Sequence, residues 1–162
     1  MSRLLRAFWQ RFLRSIAFVI LLTLISSLIL PGATWAASSL GVDNGHLSTC
    51  PVSNNCVVSQ NADEKHAINP IVYHVDRNAA REILLKVLSV VPRTEIVEQT
   101  DNYIHALSKS RIFRLVDDVE FYLPANESVI HLRSASRVGE FDLGINRRRC
   151  EQIRLALRDL NI

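Results

Sequence analysis

The stretch DVEFYLPANESVIHLRS, from Asp118 to Ser134, sets the fold that we expect for this chain. Apolar and polar residues alternate along both halves, and Pro124 to Glu127 supplies turn-forming residues between them. The apolar positions that share one face are Val119, Phe121 and Leu123 in the first half and Ile130 and Leu132 in the second. Because a period of two is that of a β-strand, and the turn is short, the stretch predicts an antiparallel hairpin.

The flanking segments extend this hairpin into an α+β domain. Further strands are predicted at IVYHV (71–75), TEIVEQ (94–99) and NYIHALSK (102–109). Helices are predicted over 76–91, with Asp76 as N-cap, and over 146–160, with Asn146 as N-cap. The order β-α-β-β-β-β-α predicts a single antiparallel sheet of about four to five strands, with two helices packed on one face.

The N-terminal 36 residues resemble a targeting segment rather than part of the fold. Four arginines precede the apolar run from Ser15 to Leu30, and small residues follow up to Ala36. This pattern predicts a secretory signal peptide over 1–36, and the alternative is a retained N-terminal anchor. Residues 37–69 are rich in Ser, Asn, Asp and Gly, which predicts an extended lead-in; residues 70–162 would form the α+β domain.

The charge of the chain from Ala37 onward argues against nucleic acid as a partner. The whole chain has 19 Lys and Arg and 16 Asp and Glu, and four of the arginines precede Ala37, so 15 bases and 16 acids remain, a net charge of −1. A nucleic-acid-binding domain is usually strongly basic. If the N-terminal segment is not cleaved, it would be the chain's contact with a membrane.

Export would place the cysteines in an oxidising compartment. Cys50 and Cys56 enclose the turn-forming loop PVSNN, and a Cys50–Cys56 disulfide is the favoured pairing there. Two free thiols, or half of a metal site, are the alternatives. Cys150 lies on the apolar stripe of the second predicted helix, which predicts a buried free thiol with a packing role.

The segment RSASRVGEFDLGINRRR, from Arg133 to Arg149, concentrates five arginines and two glycines between a strand and a helix. Arginines in the first turn of a helix face the positive end of its dipole, so a negative partner must lie near them. One interpretation is an internal lattice with acids among Asp117, Asp118, Glu120, Glu140 and Asp142. The other is an external anion or partner, because glycine-containing helix N-termini favour phosphate or carboxylate.

These motifs resemble the domain of unknown function 1499 family. The resemblance rests on CPVSNNCVVS (50–59), HAINP (66–70), VDDVEFYL (116–123) and the arginine segment, and it covers about Ser48 to Leu160. It implies an exported or membrane-associated domain of the cyanobacterial or plastid type, in the thylakoid lumen or periplasm, with no established chemistry. The resemblance implies signature positions in the arginine segment, with Asn55 and Cys56 in the other element. Those of the segment, together with Arg148, form the candidate anion- or partner-binding set: Arg133, Ser134, Ser136, Arg137, Gly139, Asp142, Gly144, Asn146, Arg147, Arg148 and Arg149.

Catalytic patterns are weak in this sequence. The five histidines lack the spacing of metal ligands, no phosphate-binding or dinucleotide fingerprint occurs, and no cofactor is expected. His105 and His131 could face each other across strands, and with Ser134 they define the alternative hypothesis of a small periplasmic hydrolase or ligand-binding enzyme. The leading hypothesis is a non-enzymatic accessory protein that binds a lipid headgroup or an acidic protein partner, in photosynthetic-membrane assembly.

Overall fold

The computed structural model of the chain describes residues 39–162. The signal peptide predicted over 1–36 lies outside these described residues. Within 39–162, no helix has both the length and the apolar character of a membrane span.

The described chain forms eight strands and two helices. The strands are β1 Val42–Asp43, β2 His46–Leu47, β3 Cys56–Val58, β4 Ile71–Val72, β5 Thr94–Gln99, β6 Tyr103–Lys109, β7 Val116–Tyr122 and β8 Val129–Ser136. The helices are α1 Arg77–Val90, between β4 and β5, and α2 Ile145–Asp159, after β8.

The main sheet confirms the predicted α+β class. Its order is β3-β8-β7-β6-β5, with β4 paired to the first half of β8, and each of these neighbours is antiparallel. The sheet has six strands, where the sequence predicts four to five, because residues 56–58 of the predicted lead-in pair with the end of β8. A separate two-stranded hairpin, β1–β2, precedes them.

Both helices pack on one face of this sheet, as predicted. The alternation of β7 and β8 turns their apolar residues toward the helices, where Phe121, Ile130 and Leu132 are fully buried. Leu84 and Leu88 from α1 are fully buried in the same core. Burying a large apolar side chain contributes about 1.5–3 kcal/mol, so this layer holds the domain together.

The opposite face of the sheet is covered by the chain's own N-terminal part. Leu47 of β2 and Val58 of β3 pack there against Tyr103 of β6 in a second, smaller cluster. The segment 37–69, predicted as an extended lead-in, therefore contributes a strand to the sheet and covers its far face over its described residues. Both apolar clusters consist of residues between Val42 and Ile162, so the chain from residue 37 contains all of them.

The two helices begin in different ways. The carboxylate of Asp76 accepts hydrogen bonds from the backbone N–H groups of Asn78 and Ala79, so its predicted role as the N-cap of α1 is confirmed. The prediction that Asn146 caps α2 is wrong. Gly144 is the N-cap residue, with a φ of 74° that glycine adopts without strain, and Asn146 lies inside the helix, buried.

Candidate anion-binding site

The arginine segment runs from the end of β8, through a loop, into the first turns of α2. Successive residues of a strand point to opposite faces of the sheet. Arg133 and Ser134, adjacent in β8, therefore belong to two different environments, and the predicted site residues separate accordingly.

Arg133 lies on the far face and forms an internal ion pair. Its Nη1 donates to Glu120 Oε2 at 2.7 Å, and both side chains are fully buried. The other oxygen of Glu120 accepts from the Tyr103 hydroxyl at 2.9 Å and from the Gly41 N–H at 2.8 Å. Burial and the neighbouring Glu120 charge raise the pKa of Tyr103, which keeps its hydroxyl a donor. An external anion has no access to Arg133 in this arrangement.

Arg137 binds Asp118 through two parallel hydrogen bonds. Nε and Nη2 of Arg137 lie 2.9 and 2.8 Å from the two carboxylate oxygens, and His105 Nε2 lies 2.8 Å from Oδ1. Burial alone would raise the pKa of Asp118, but the hydrogen bonds from His105 and Arg137 outweigh it and lower that pKa to about 2. Asp118 therefore stays ionised and joins β6, β7 and the loop that follows β8.

Arg149 forms the third internal pair, on the helix face. Its Nη2 lies 2.5 Å from Asp117, and its Nη1 donates to the Ser134 hydroxyl at 2.9 Å and to Asn146 Oδ1 at 2.6 Å. The Asn146 amide in turn donates to the Asn55 carbonyl at 2.9 Å and to the Ser136 hydroxyl at 3.0 Å. This buried network fastens the start of α2 to the sheet.

The loop residues of the candidate set shape the junction between β8 and α2. The carboxylate of Asp142 accepts from the N–H groups of Gly144 and Asn146, both at 2.8 Å, and so satisfies two free donors at the helix start. The carbonyl of Gly139, where φ is 88°, accepts from the side-chain amide of Asn55. Arg147 donates to the carbonyls of Ala67 and Lys65, at 2.7 and 3.1 Å, which ties α2 to the segment before β4.

Arg148 lines an open cleft and, unlike Arg133, Arg137 and Arg149, has no acidic partner within the described residues. It is exposed, and Nη1 donates to the Leu143 carbonyl at 2.8 Å. The cleft, of about 550 Å³, lies between α2, the turn after α1 and the end of β6. Its basic lining residues are Arg93, Lys109, Arg111, Arg148 and Arg149, and no acidic residue lines it within the described chain.

The charges around this cleft are only partly neutralised. Arg149 is paired with Asp117, and Lys109 Nζ lies 3.5 Å from Glu95. Among residues 39–162, no acid lies within ion-pair distance of Arg93, Arg111 or Arg148. Three uncompensated guanidinium groups around one open volume attract an anion, because the planar guanidinium matches carboxylate and phosphate oxygens.

Sequence reasoning missed three of these cationic residues. Arg93 follows α1, Lys109 is the last residue of β6, and Arg111 lies in the loop after it, all more than thirty positions from Arg148 in the sequence. The segment RIFRL (111–115) carries the one available signal, since it places two arginines beside large apolar residues in a turn between strands.

The structure does not assemble the hydrolase constellation. Strand β7 lies between β6 and β8, so His105 and His131 are not neighbours, and His131 stacks on Tyr122 instead. Ser134 lies on the face of the sheet opposite to these two histidines. It is fully buried, and its hydroxyl forms hydrogen bonds with Asn146 and Arg149. No feature of residues 39–162 favours an enzyme built from these three side chains.

The cysteines behave as structural residues. Cys50 and Cys56 form the predicted disulfide, which closes the loop immediately before β3. Cys150 is a free, fully buried thiol, as predicted, and burial raises its pKa to about 12. In residues 39–162, no group of three or more His, Cys, Asp or Glu side chains is arranged to hold a metal ion.

The fold and the site define a small α+β domain whose sheet carries internal arginine–carboxylate pairs on both faces and a basic cleft at one end. The family model described as "Protein of unknown function (DUF1499)" matches residues 46–157, and the chain belongs to this family. Comparisons with curated proteins and with solved structures gave no match to this chain.

Proposed function

We propose that this protein is a non-enzymatic, exported accessory protein that binds an anionic group in the cleft between α2, β6 and the turn after α1. The observation that carries the proposal is the convergence of Arg93, Arg111 and Arg148 on this cleft with no acidic residue of 39–162 paired to them. Most other arginines of the signature segment are occupied by internal acids, so binding concentrates on Arg148 and its neighbours.

The distribution of charge supports an anionic ligand. The chain from Ala37 has a net charge of −1, yet its cleft is lined by basic residues only. A local field of one sign in a concave site raises the concentration of the opposite ion there. Phosphate and carboxylate groups share the chemistry that this site would recognise, whether they belong to a lipid headgroup or to an acidic protein.

Export to the periplasm or the thylakoid lumen is part of the proposal, with photosynthetic-membrane assembly as the process served. The basic and apolar segment over 1–36 supports it, and so does the Cys50–Cys56 disulfide, because disulfides persist in oxidising compartments. Cell fractionation with mass measurement of the mature chain tests it. A reduced, full-length chain in the cytoplasm would overturn this part of the proposal.

Titration with inorganic phosphate, followed by backbone amide NMR shifts, tests the anion site. We expect saturable shifts confined to residues around Arg93, Arg111 and Arg148. The double variant Arg111→Gln/Arg148→Gln should weaken binding about tenfold or more, because each charge-assisted hydrogen bond contributes about 1.5–3 kcal/mol.

A matched control removes the same charge elsewhere. Lys86 and Arg158 are exposed on α1 and α2 outside the cleft, so Lys86→Gln/Arg158→Gln should leave phosphate binding unchanged. Equal weakening by both double variants would mean that net charge, and not the cleft, attracts the anion, and the proposed site would be wrong.

A further inference from the structure

Two loops with exposed apolar side chains flank the basic cleft. One is the β6–β7 loop, residues 110–115, and the other is the β8–α2 segment, residues 137–145. Asp117 of β7 pairs with Ser136 of β8, and the Arg137 N–H donates to the Val116 carbonyl at 3.1 Å, so both loops leave the sheet at the same end. We call these two segments the apolar end.

The exposed apolar residues of the domain concentrate there. Of the fourteen exposed large apolar side chains in residues 39–162, seven lie in these two short segments. Ile112 and Phe113 are each 79% exposed, and Leu143 is 69% exposed. Clusters of this kind on a folded domain mark contact with a protein or a membrane rather than ordinary surface.

The backbone at Leu143 strengthens this point. Leu143 has a φ of 56°, in the left-handed region that a leucine adopts at a cost of about 1 kcal/mol or more. Neither burial nor backbone preference accounts for a leucine that is both strained and exposed. The segment holds an apolar side chain out in solvent, two residues before Ile145, which lines the cleft, and the Leu143 carbonyl accepts from the cleft residue Arg148.

The charges of the apolar end indicate the kind of surface that it binds. Arg111 and Arg114 flank Ile112 and Phe113 in the sequence, and Arg148 donates a hydrogen bond to the Leu143 carbonyl. The acids of the same segment are Glu140, which is exposed, and Asp142, whose carboxylate is engaged by the start of α2. Apolar side chains beside guanidinium groups match the boundary of a bilayer, where acyl chains lie directly beneath anionic headgroups.

We infer that the apolar end docks the domain on an anionic lipid bilayer, with Ile112, Phe113 and Leu143 in the acyl boundary and a lipid phosphate in the basic cleft. This inference rests on the proposed function and specifies that the anionic group bound in the cleft belongs to a lipid. It is separate from any membrane contact of residues 1–36, because the docking surface lies in the folded domain.

Tryptophan fluorescence gives a direct test in the chain from residue 37. The two native tryptophans, Trp9 and Trp35, precede that residue, so Phe113→Trp provides a single reporter. With vesicles of equal parts phosphatidylcholine and phosphatidylglycerol, we expect its emission to shift to the blue. The control Val72→Trp places a reporter at an exposed position at the opposite end of β8 and should not shift. An unshifted Phe113→Trp would overturn the inference.

Co-sedimentation with the same vesicles separates this inference from the proposed function. Ile112→Ser/Phe113→Ser should weaken vesicle binding about tenfold or more and leave phosphate titration unchanged, because it removes only apolar contacts. The matched control Val72→Ser/Leu160→Ser should bind as the parent chain does. Arg111→Gln/Arg148→Gln should lose both vesicle and phosphate binding.

The other outcomes of the vesicle and phosphate experiments also test the inference. Equal binding to vesicles of phosphatidylcholine alone would overturn the anionic requirement. Phosphate binding without vesicle binding would overturn the lipid assignment and leave an acidic protein surface as the occupant of the cleft. If the parent chain bound vesicles but not phosphate, the proposed anion site would be wrong, and the apolar end would remain as a membrane contact.

Discussion

At the scale of single residues, the domain is organised by arginine–carboxylate pairs that lie on both faces of one sheet. The pair Arg133–Glu120 is the most deeply buried, with both side chains inaccessible to solvent. Within the described chain, Nε and Nη2 of Arg133 have no hydrogen-bond partner, so the guanidinium depends on Glu120 for compensation. A buried charge that loses its partner is costly, because its desolvation is no longer offset.

Glu120→Gln should therefore destabilise the domain by about 3–5 kcal/mol, as expected when one member of a buried ion pair is removed. The amide keeps an oxygen for Tyr103 and Gly41 but leaves the Arg133 charge without a counterion. The double variant Glu120→Gln/Arg133→Met should recover more than half of the loss, since it removes that charge. Urea unfolding measures both.

The surface substitution Glu64→Gln serves as the control, because Glu64 is exposed. If Glu120→Gln cost no more than this control, Arg133 would not depend on Glu120. A double variant less stable than Glu120→Gln would show that the guanidinium contributes through packing rather than through its charge.

At the scale of elements, the junction between β8 and α2 depends on a carboxylate outside the helix. Asp142 accepts hydrogen bonds from the N–H groups of Gly144 and Asn146, while Asn146 is used by the buried network. An acid at this position also offsets the repulsion between the helix dipole and the three arginines at 147–149. Asp142 thus makes the basic first turn of α2 compatible with a stable helix.

Asp142→Ala should lower the free energy of unfolding by about 1 kcal/mol, because Asp142 satisfies N–H groups at the helix start as an N-cap side chain does, although Gly144 is the N-cap residue. Hydrogen exchange should accelerate at the amides of Gly144 and Asn146, whose acceptors are lost. The neighbouring acid gives a matched control, because Glu140 is exposed and Glu140→Ala removes the same charge. Faster exchange at the same amides in the Glu140 variant would assign the effect to charge alone.

At the scale of the whole molecule, Asp118 of β7 couples its own strand to β6 and to the loop after β8, through His105 and Arg137. Its pKa is lowered from 3.8 to about 2 in the folded protein, so the unfolded chain binds the proton more readily. The stabilisation is therefore complete above the unfolded pKa and is lost as the pH falls through the folded pKa.

Between about pH 5 and about pH 2, the parent chain should lose about 2 kcal/mol more stability than Asp118→Asn, which has no carboxyl to protonate at this position. Urea unfolding at a series of pH values measures this difference. Glu64→Gln, at an exposed position, should follow the parent chain. Parallel curves for the parent and the Asp118 variant would mean that the ion pair adds nothing to acid stability.

The basic cleft also belongs to the whole molecule, because it combines the end of β6, the turn after α1 and one side of α2. The sequence predicts only its contribution from α2, Arg148 and Arg149. Arg93, Lys109 and Arg111 join it through strand pairing and helix packing, which a linear reading of charges does not reveal. The sequence predicts acidic partners for the arginines as a group, but which acid pairs with which arginine depends on the register of β7 and β8.

The sequence by itself determined the α+β class, helix α1 with its Asp76 cap, the strands β5 to β8 and the buried position of Cys150. These features follow from local periodicity and capping, which act over a few neighbouring residues. Only the tertiary structure decided that the buried Asn146 joins α2 to β8 and to the segment before β3, and that β3 completes the sheet. It also decided that Arg133, Arg137 and Arg149 pair with buried carboxylates of β7. The reason is that a long polar side chain is satisfied by whichever partner packing brings within hydrogen-bond distance, and that partner is remote in the chain.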